Sequence, residues 1–166
     1  FKAIAEANNS EQERKATITF SAEGCDDVLV TVSQEGKSTE SYVSFDFSNP
    51  GIYGFIAPSA GAGTNVDNSL VAAPITITTT NGNTATRFWN SNGTIDLRVY
   101  KNGGSLKFTA ESGKNITKIV FVGSAISAMN AEPGTFSSGT WTGNATEVTF
   151  TATDTLKFSS ATVYYK

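Results

Sequence analysis

Apolar and polar residues alternate with a period of two along most of the chain, in short runs bounded by turn residues. The alternation is clearest at 95–100 (IDLRVY) and 105–110 (SLKFTA). Successive side chains of a strand point to opposite faces, so this period is typical of strands with one buried face. The pattern predicts strands at 16–21, 28–33, 42–47, 74–80, 84–89, 95–100, 105–110, 116–122, 148–152 and 161–165, with a short edge strand at 136–141.

Turn signals separate these runs, and two segments lack the alternation. Asn81-Gly82, Asn92-Gly93 and Gly103-Gly104 are typical of tight hairpin turns. The segment 52–73 is rich in Gly, Ala, Ser and Asn without clear periodicity, which predicts an extended loop with room for one short strand. The segment 124–132 has apolar residues spaced by three, so we expect the one helical turn of the chain there.

The spacing of the predicted strands indicates an all-β fold. Strands that recur every eight to twelve residues or so favour a sandwich or barrel. We predict an antiparallel, jelly-roll-like β-sandwich at residues 38–166. The two strands within residues 1–37 form a separate hairpin, and a lone hairpin is marginally stable in water.

Composition supports this fold and excludes several functions. The chain has 23 Thr, 18 Ser, 13 Asn and 15 Gly, which suit strands and turns. The net charge is −3 and the basic residues are dispersed in sequence, which argues against nucleic-acid binding. Histidine is absent, so the commonest general base is missing, and the single Cys25 forms no internal disulfide.

The sequence shows neither a signal peptide nor an apolar run long enough for a transmembrane segment. It starts at Phe1 without an initiator Met, so we expect a piece of a longer protein.

The N-terminal segment resembles a known family. Residues 8–20 (NNSEQERKATITF) and 28–36 (VLVTVSQEG) together are similar to the second half of a BACON domain. That family is an immunoglobulin-like β-sandwich of Bacteroidetes proteins, often next to glycan-active domains. The resemblance implies that residues 1–37 are an immunoglobulin-like hairpin remnant.

Two further stretches resemble accessory β-sandwich domains of Bacteroidetes surface proteins: 95–122 and 139–144 (GTWTGN). Both resemblances imply a carbohydrate-binding accessory module, extracellular or on the outer cell surface. The partners that this reading implies are a polysaccharide or other glycan and further domains of the parent protein; we expect a monomer.

Carbohydrate-binding modules stack sugar rings on exposed aromatic side chains. Trp89 and Trp141 are the leading candidates, since Phe88 and Trp89 must point to opposite faces of a strand. Tyr100 shares a face with Asp96 and Arg98, which is either a solvated face or a binding surface. The other candidate aromatics are Phe88, Tyr42 and Tyr53. Core packing is the competing interpretation for each aromatic.

Carboxylates offer weaker chemistry. Asp46 and Asp67 are candidate ligands for a structural calcium ion, although no Asp-x-Asp-x-Asp spacing is present. No other cofactor is expected. Glycoside hydrolysis needs two carboxylates across a cleft, and nothing marks such a pair, so we predict that the chain is not an enzyme. Three functions remain: a glycan-binding module, a structural or adhesive spacer, and, as the weakest, a glycoside hydrolase.

Overall fold

A computed structural model describes residues 4–37 and 39–166. Their regular structure is fifteen strands and one 3₁₀ turn at Pro50–Tyr53. The strands are β1 (Arg14–Phe20), β2 (Val28–Gln34), β3 (Ser41–Asp46), β4 (Gly63–Asn65), β5 (Leu70–Ala72), β6 (Ile75–Thr80), β7 (Arg87–Ser91), β8 (Thr94–Val99), β9 (Ser105–Ala110), β10 (Ile116–Ser124), β11 (Met129–Glu132), β12 (Thr135–Ser137), β13 (Thr140–Ala145), β14 (Glu147–Ala152) and β15 (Leu156–Tyr165). The chain divides into two units, and the second begins at Glu40.

The first unit contains the antiparallel hairpin of β1 and β2. Ile18 lies opposite Val30 and Ala16 opposite Val32, so most apolar residues of the two strands share one face, while Leu29 lies on the other face, opposite Thr19. Thr17 and Thr31 lie on the other face. Val28, Val30 and Val32 remain 59%, 42% and 43% exposed. This hairpin is amphipathic but does not bury its apolar face as a sheet of a sandwich does.

The second unit consists of two antiparallel sheets. The large sheet has the strand order β12-β13-β10-β15-β8-β7-β4, and the small sheet has the order β11-β14-β9-β6-β5. The ten-residue strand β15 organises the large sheet. It pairs along one edge with β10 and along the other with β8 at its start and β3 at its end.

The inward faces of the two sheets share one core. Phe108 and Phe150, from the small sheet, pack edge-to-face on Phe121 of the large sheet, with ring centroids 5.7 and 4.9 Å apart. Such edge-to-face contacts stabilise a core beyond the burial of area alone. Polar residues between the buried ones point outward. In β8, for example, Arg98 points outward between the buried Leu97 and Val99.

The predicted all-β, antiparallel sandwich is confirmed, while the jelly-roll connectivity stays a prediction. Two local predictions were wrong and one was incomplete. The segment 124–132 is not helical: β10 runs to Ser124 and Met129 starts β11, because β14 offers a free edge for pairing. The loop 52–73, in which we expected at most one short strand, contains two, β4 and β5. The edge strand at 136–141 is two strands, β12 and β13, which reverse at Ser138 and Gly139, both with positive φ.

Among the residues that the structure describes, no helix has the length and apolar character needed to span a bilayer.

Candidate functional site

Four of the five residues predicted as ligand contacts lie together on the outer face of the large sheet. They come from the β7–β8 hairpin, where Phe88 and Leu97 point into the core and their neighbours point outward. The four are Trp89, Asp96, Arg98 and Tyr100, and together with Arg87, which the sequence did not predict, we call them the Trp89 cluster. The prediction that Phe88 and Trp89 take opposite faces is confirmed, since Phe88 is buried and Trp89 is partly exposed.

A tight turn sets the register of this hairpin. Asn92 and Gly93 have φ angles of 52° and 97°, which suit the type I′ turn that joins twisted strands. The Gly93 backbone amide donates to Asn90 Oδ1 at 2.7 Å and holds the turn closed. Trp89 therefore lies opposite Asp96, and Arg87 lies opposite Arg98.

Arg98 is held by three neighbours. Its Nε donates to Asp96 Oδ1 at 2.7 Å, and its Nη2 donates to Ser91 Oγ at 2.7 Å. Its guanidinium also lies 5.1 Å from the centroid of the Trp89 ring. The Arg98 and Asp96 side chains are only 15% and 17% exposed, so the ion pair is shielded from solvent more than a typical surface pair. The pair is thus ordered before any ligand arrives.

Arg87 has a different environment. Its guanidinium lies 5.9 Å from the Trp89 ring and 5.4 Å from the Tyr100 ring. Its Nε donates to the Ala85 carbonyl at 3.2 Å. Among the described residues, no carboxylate forms an ion pair with Arg87. Within the described residues, the Arg87 charge is therefore compensated by the Ala85 carbonyl and by two aromatic faces, which attract cations through their quadrupole.

A glycine on the neighbouring strand makes room for these side chains. Gly63 of β4 lies opposite Trp89, and a Cβ there would come within 2.7 Å of Arg87 Cδ and 3.0 Å of Trp89 Cε3. The side chains of Arg87 and Trp89 can therefore lie close against β4.

The face beneath the cluster belongs to the core. Tyr53, in the 3₁₀ turn, stacks on Phe88 with ring planes 5° apart and on Phe45 with ring planes 18° apart. Its hydroxyl is buried and has no hydrogen-bond partner among the described residues. Burial raises the pKa of Tyr53 to about 12; the nearby Asp46 backbone opposes this shift, and the charge of the Asp46 carboxylate adds to it. Tyr53 thus serves as a core ring and not as an exposed sugar platform.

The structure contradicts the prediction that Trp141 is a ligand platform. Trp141 is fully buried, and its Nε1 donates to the Pro133 carbonyl at 2.7 Å. Gly134 and Gly143 press against the ring, where any side chain would collide with it. These two glycines make space for the indole within the sandwich.

The two calcium candidates, Asp46 and Asp67, have different surroundings. Asp46 accepts hydrogen bonds from the backbone amide and the hydroxyl of Ser48, as a turn-capping carboxylate does. Asp67 lines a polar groove of about 350 Å³ with Asn68, Ser69 and Asn81, and Asp46 is not part of its lining. In the described part of the chain, no three His, Cys, Asp or Glu side chains come together as a metal would need.

A second aromatic group lies on the outer face, and sequence reasoning named only one of its members. Tyr42 is 66% exposed, and its ring lies 5.8 Å from that of Tyr164. Lys118 Nζ lies 3.8 Å from the centroid of the Tyr164 ring. We call Tyr42, Lys118 and Tyr164 the Tyr42 patch. In the alternating run at 161–165, Tyr164 follows the buried Val163 and therefore points outward. The sequence does not show that β10 and β3 flank it.

Chemically, the Trp89 cluster offers an indole, a phenol, two guanidinium groups and one carboxylate. Asp96 is bonded to Arg98, so the cluster lacks the free carboxylate pair that glycoside hydrolysis requires. Planar aromatic and guanidinium groups with fixed hydrogen bonds suit recognition of a polar ring-shaped ligand.

Comparisons with protein-family models, with curated proteins and with solved structures found no match to this chain. The resemblance to BACON and carbohydrate-binding domains therefore rests on the residues quoted above.

Proposed function

We propose that this protein is a non-catalytic accessory module of a secreted or surface bacterial protein, and that it binds glycan through the outer face of its large sheet. The observation that carries the proposal is the Trp89 cluster, which gathers an indole, Tyr100 and three hydrogen-bonding side chains on one surface. Sugars present apolar C–H faces and hydroxyl groups, so a partly exposed aromatic ring beside ordered polar groups meets both requirements.

Preorganisation adds to this support. Asp96 and Ser91 fix the Arg98 guanidinium, and a cation–π contact holds it beside Trp89. A group that is already ordered loses less conformational entropy on binding than a free surface arginine would. The cluster therefore presents a shaped, rather rigid surface to a ligand.

The same contacts favour a second candidate, a structural or adhesive spacer. Arg98 is already satisfied by Asp96, Ser91 and the Trp89 ring, and a surface whose polar groups satisfy one another needs no ligand. The apolar face of the first unit favours it too, since Val28 and Val30 are exposed there. A hairpin of this kind suits a module that is one part of a larger β-sandwich array, as the BACON resemblance implies.

Affinity electrophoresis in gels that contain neutral or acidic polysaccharides separates the two functions. As a glycan-binding module, the chain is retarded by at least one polysaccharide, and Trp89→Ala loses that retardation. Tyr42→Ala is the matched control, because it also removes an exposed aromatic from the outer face but outside the cluster. Absence of retardation in every gel favours the spacer. Retardation that Tyr42→Ala abolishes and Trp89→Ala preserves would overturn the assignment to the Trp89 cluster.

A further inference from the structure

Three basic side chains form a row across the outer face of the large sheet. Arg87 of β7 lies directly opposite Arg98 of β8, which in turn lies directly opposite Lys157 of β15. Directly opposite residues of antiparallel strands share a face. Strands in a sheet lie about 4.8 Å apart, so the row spans about 10 Å. Asn65 of β4 extends it by one polar position beyond Arg87.

The positive charge of the row is only partly neutralised by carboxylates of the described residues. Arg98 is paired with Asp96, but within the described residues neither Arg87 nor Lys157 forms an ion pair. Like charges directly opposite each other on adjacent strands destabilise a sheet. A site with this uncompensated charge gains interaction energy when an anion binds.

The basic character belongs to one sheet of the sandwich. The strands of the large sheet contain four basic residues and two acidic ones: Arg87, Arg98, Lys118 and Lys157 against Asp46 and Asp96. The strands of the small sheet contain Lys107 against Glu132 and Glu147. An anionic ligand is thus attracted to the face that also carries Trp89.

We propose that the row Arg87–Arg98–Lys157 binds carboxylate groups of an acidic polysaccharide, that is, of uronic-acid residues. This inference rests on the proposed glycan-binding function and specifies its ligand. A guanidinium forms two parallel hydrogen bonds with a carboxylate, and the adjacent Trp89 ring offers a surface for the sugar itself. Three cations in an acidic chain are fewer than the roughly six to ten phosphate contacts that nucleic-acid-binding proteins commonly make.

Four probes test the ligand class by titration calorimetry on the full chain: polygalacturonate, its fully methyl-esterified form, dextran sulfate and poly-glutamate. Esterification removes the charge but keeps the sugar backbone. The expected result is saturable binding of polygalacturonate that weakens with added salt, with at least about tenfold weaker binding of the ester, as expected when a charge-assisted hydrogen bond is lost.

Two matched variants test the row itself. Arg87→Gln removes the unpaired guanidinium and is expected to weaken polygalacturonate binding by about tenfold, again the loss of one charge-assisted hydrogen bond. Lys107→Gln makes the same change in net charge on the small sheet, and we expect it to leave binding unchanged. Thermal unfolding of both variants confirms that they are folded.

The outcomes separate this inference from the function on which it rests. Equal affinity for polygalacturonate and its ester, or equal effects of the two variants, overturns the carboxylate row while glycan binding stands. Preference for dextran sulfate or for poly-glutamate overturns it in favour of sulfate or of an acidic peptide. Absence of binding to any polysaccharide removes both proposals.

Discussion

The two tryptophans of this chain lie in sequences that look alike and have opposite surroundings. Trp89 lies on the outward side of β7, with guanidinium groups within 6 Å of its ring centroid, at 5.1 and 5.9 Å. Trp141 lies on the inward side of β13, with glycines against its ring and its Nε1 bonded to a backbone carbonyl. The difference shows that the burial of a tryptophan in a polar, turn-rich stretch depends on which face of its strand it occupies, and not on the polarity of its neighbours in sequence.

Substitution of the buried Trp141 is expected to reduce the stability of the protein the most. Trp141→Ala leaves a large cavity in the core and is expected to lower the free energy of unfolding by about 3–5 kcal/mol. Trp141→Phe keeps part of the packing and is expected to cost less. Denaturant unfolding measures both. Trp89→Ala is the comparison, with an expected cost of about 1–2 kcal/mol from two lost cation–π contacts. Equal costs would contradict the assignment of the two rings to different environments.

The glycines beside each ring allow a second comparison of the surroundings of the two tryptophans. Gly143→Ala forces a methyl group against the buried indole, and overpacking of this kind costs about 1–3 kcal/mol. Gly63→Ala meets first Arg87 Cδ, at 2.7 Å, which belongs to a flexible side chain that can move away. We therefore expect a smaller loss of melting temperature for Gly63→Ala, together with weaker glycan binding because Arg87 and Trp89 are displaced. A larger loss of melting temperature for Gly63→Ala than for Gly143→Ala would show that the surroundings of Trp89 are packed more tightly than those of Trp141.

Asp96 tests the charge balance of the cluster. Asp96→Asn leaves Arg98 between Arg87 and Lys157 without its carboxylate, and we expect it to cost about 1–2 kcal/mol. Arg87→Gln in the same chain should recover part of this loss, because it removes a like charge. Asp154→Asn is the control, since its pair with Lys101, at 3.7 Å, is largely exposed. A double-mutant cycle of urea unfolding measures these values, and additivity of Asp96→Asn and Arg87→Gln would refute the coupling.

The smallest expected effect concerns Tyr53 beneath the cluster. Burial raises its pKa to about 12 in the folded state, above the ordinary value of 10.0. The unfolded chain releases this proton first, so the contribution of Tyr53 to stability is present below pH 10 and declines as the pH rises toward 12. Absorbance titration of tyrosinate should show one late-titrating phenol that Tyr53→Phe removes. Loss of the late-titrating phenol in Tyr42→Phe, and not in Tyr53→Phe, would contradict its assignment to Tyr53.

The sequence was sufficient for the features that depend on local pattern. Alternation predicted most strands, the opposite faces of Phe88 and Trp89, and the shared face of Tyr100, Asp96 and Arg98, because side-chain direction in a strand follows from residue parity. Features that depend on strand pairing were not predictable. Lys157 is 59 positions from Arg98 and meets it only because β15 pairs with β8. Met129 was assigned to a helical turn because the sequence does not show that β14 offers it an edge.

The most direct test of the Trp89 face uses fluorescence. In Trp141→Phe, Trp89 is the only tryptophan, so its emission reports the outer face alone. We expect a saturable change in this emission as polygalacturonate is added, and an unchanged emission in Trp89→Phe, where only the buried Trp141 remains. An emission change confined to Trp89→Phe, or saturable binding that leaves the emission of Trp89 unaltered, would contradict the placement of the ligand on this face.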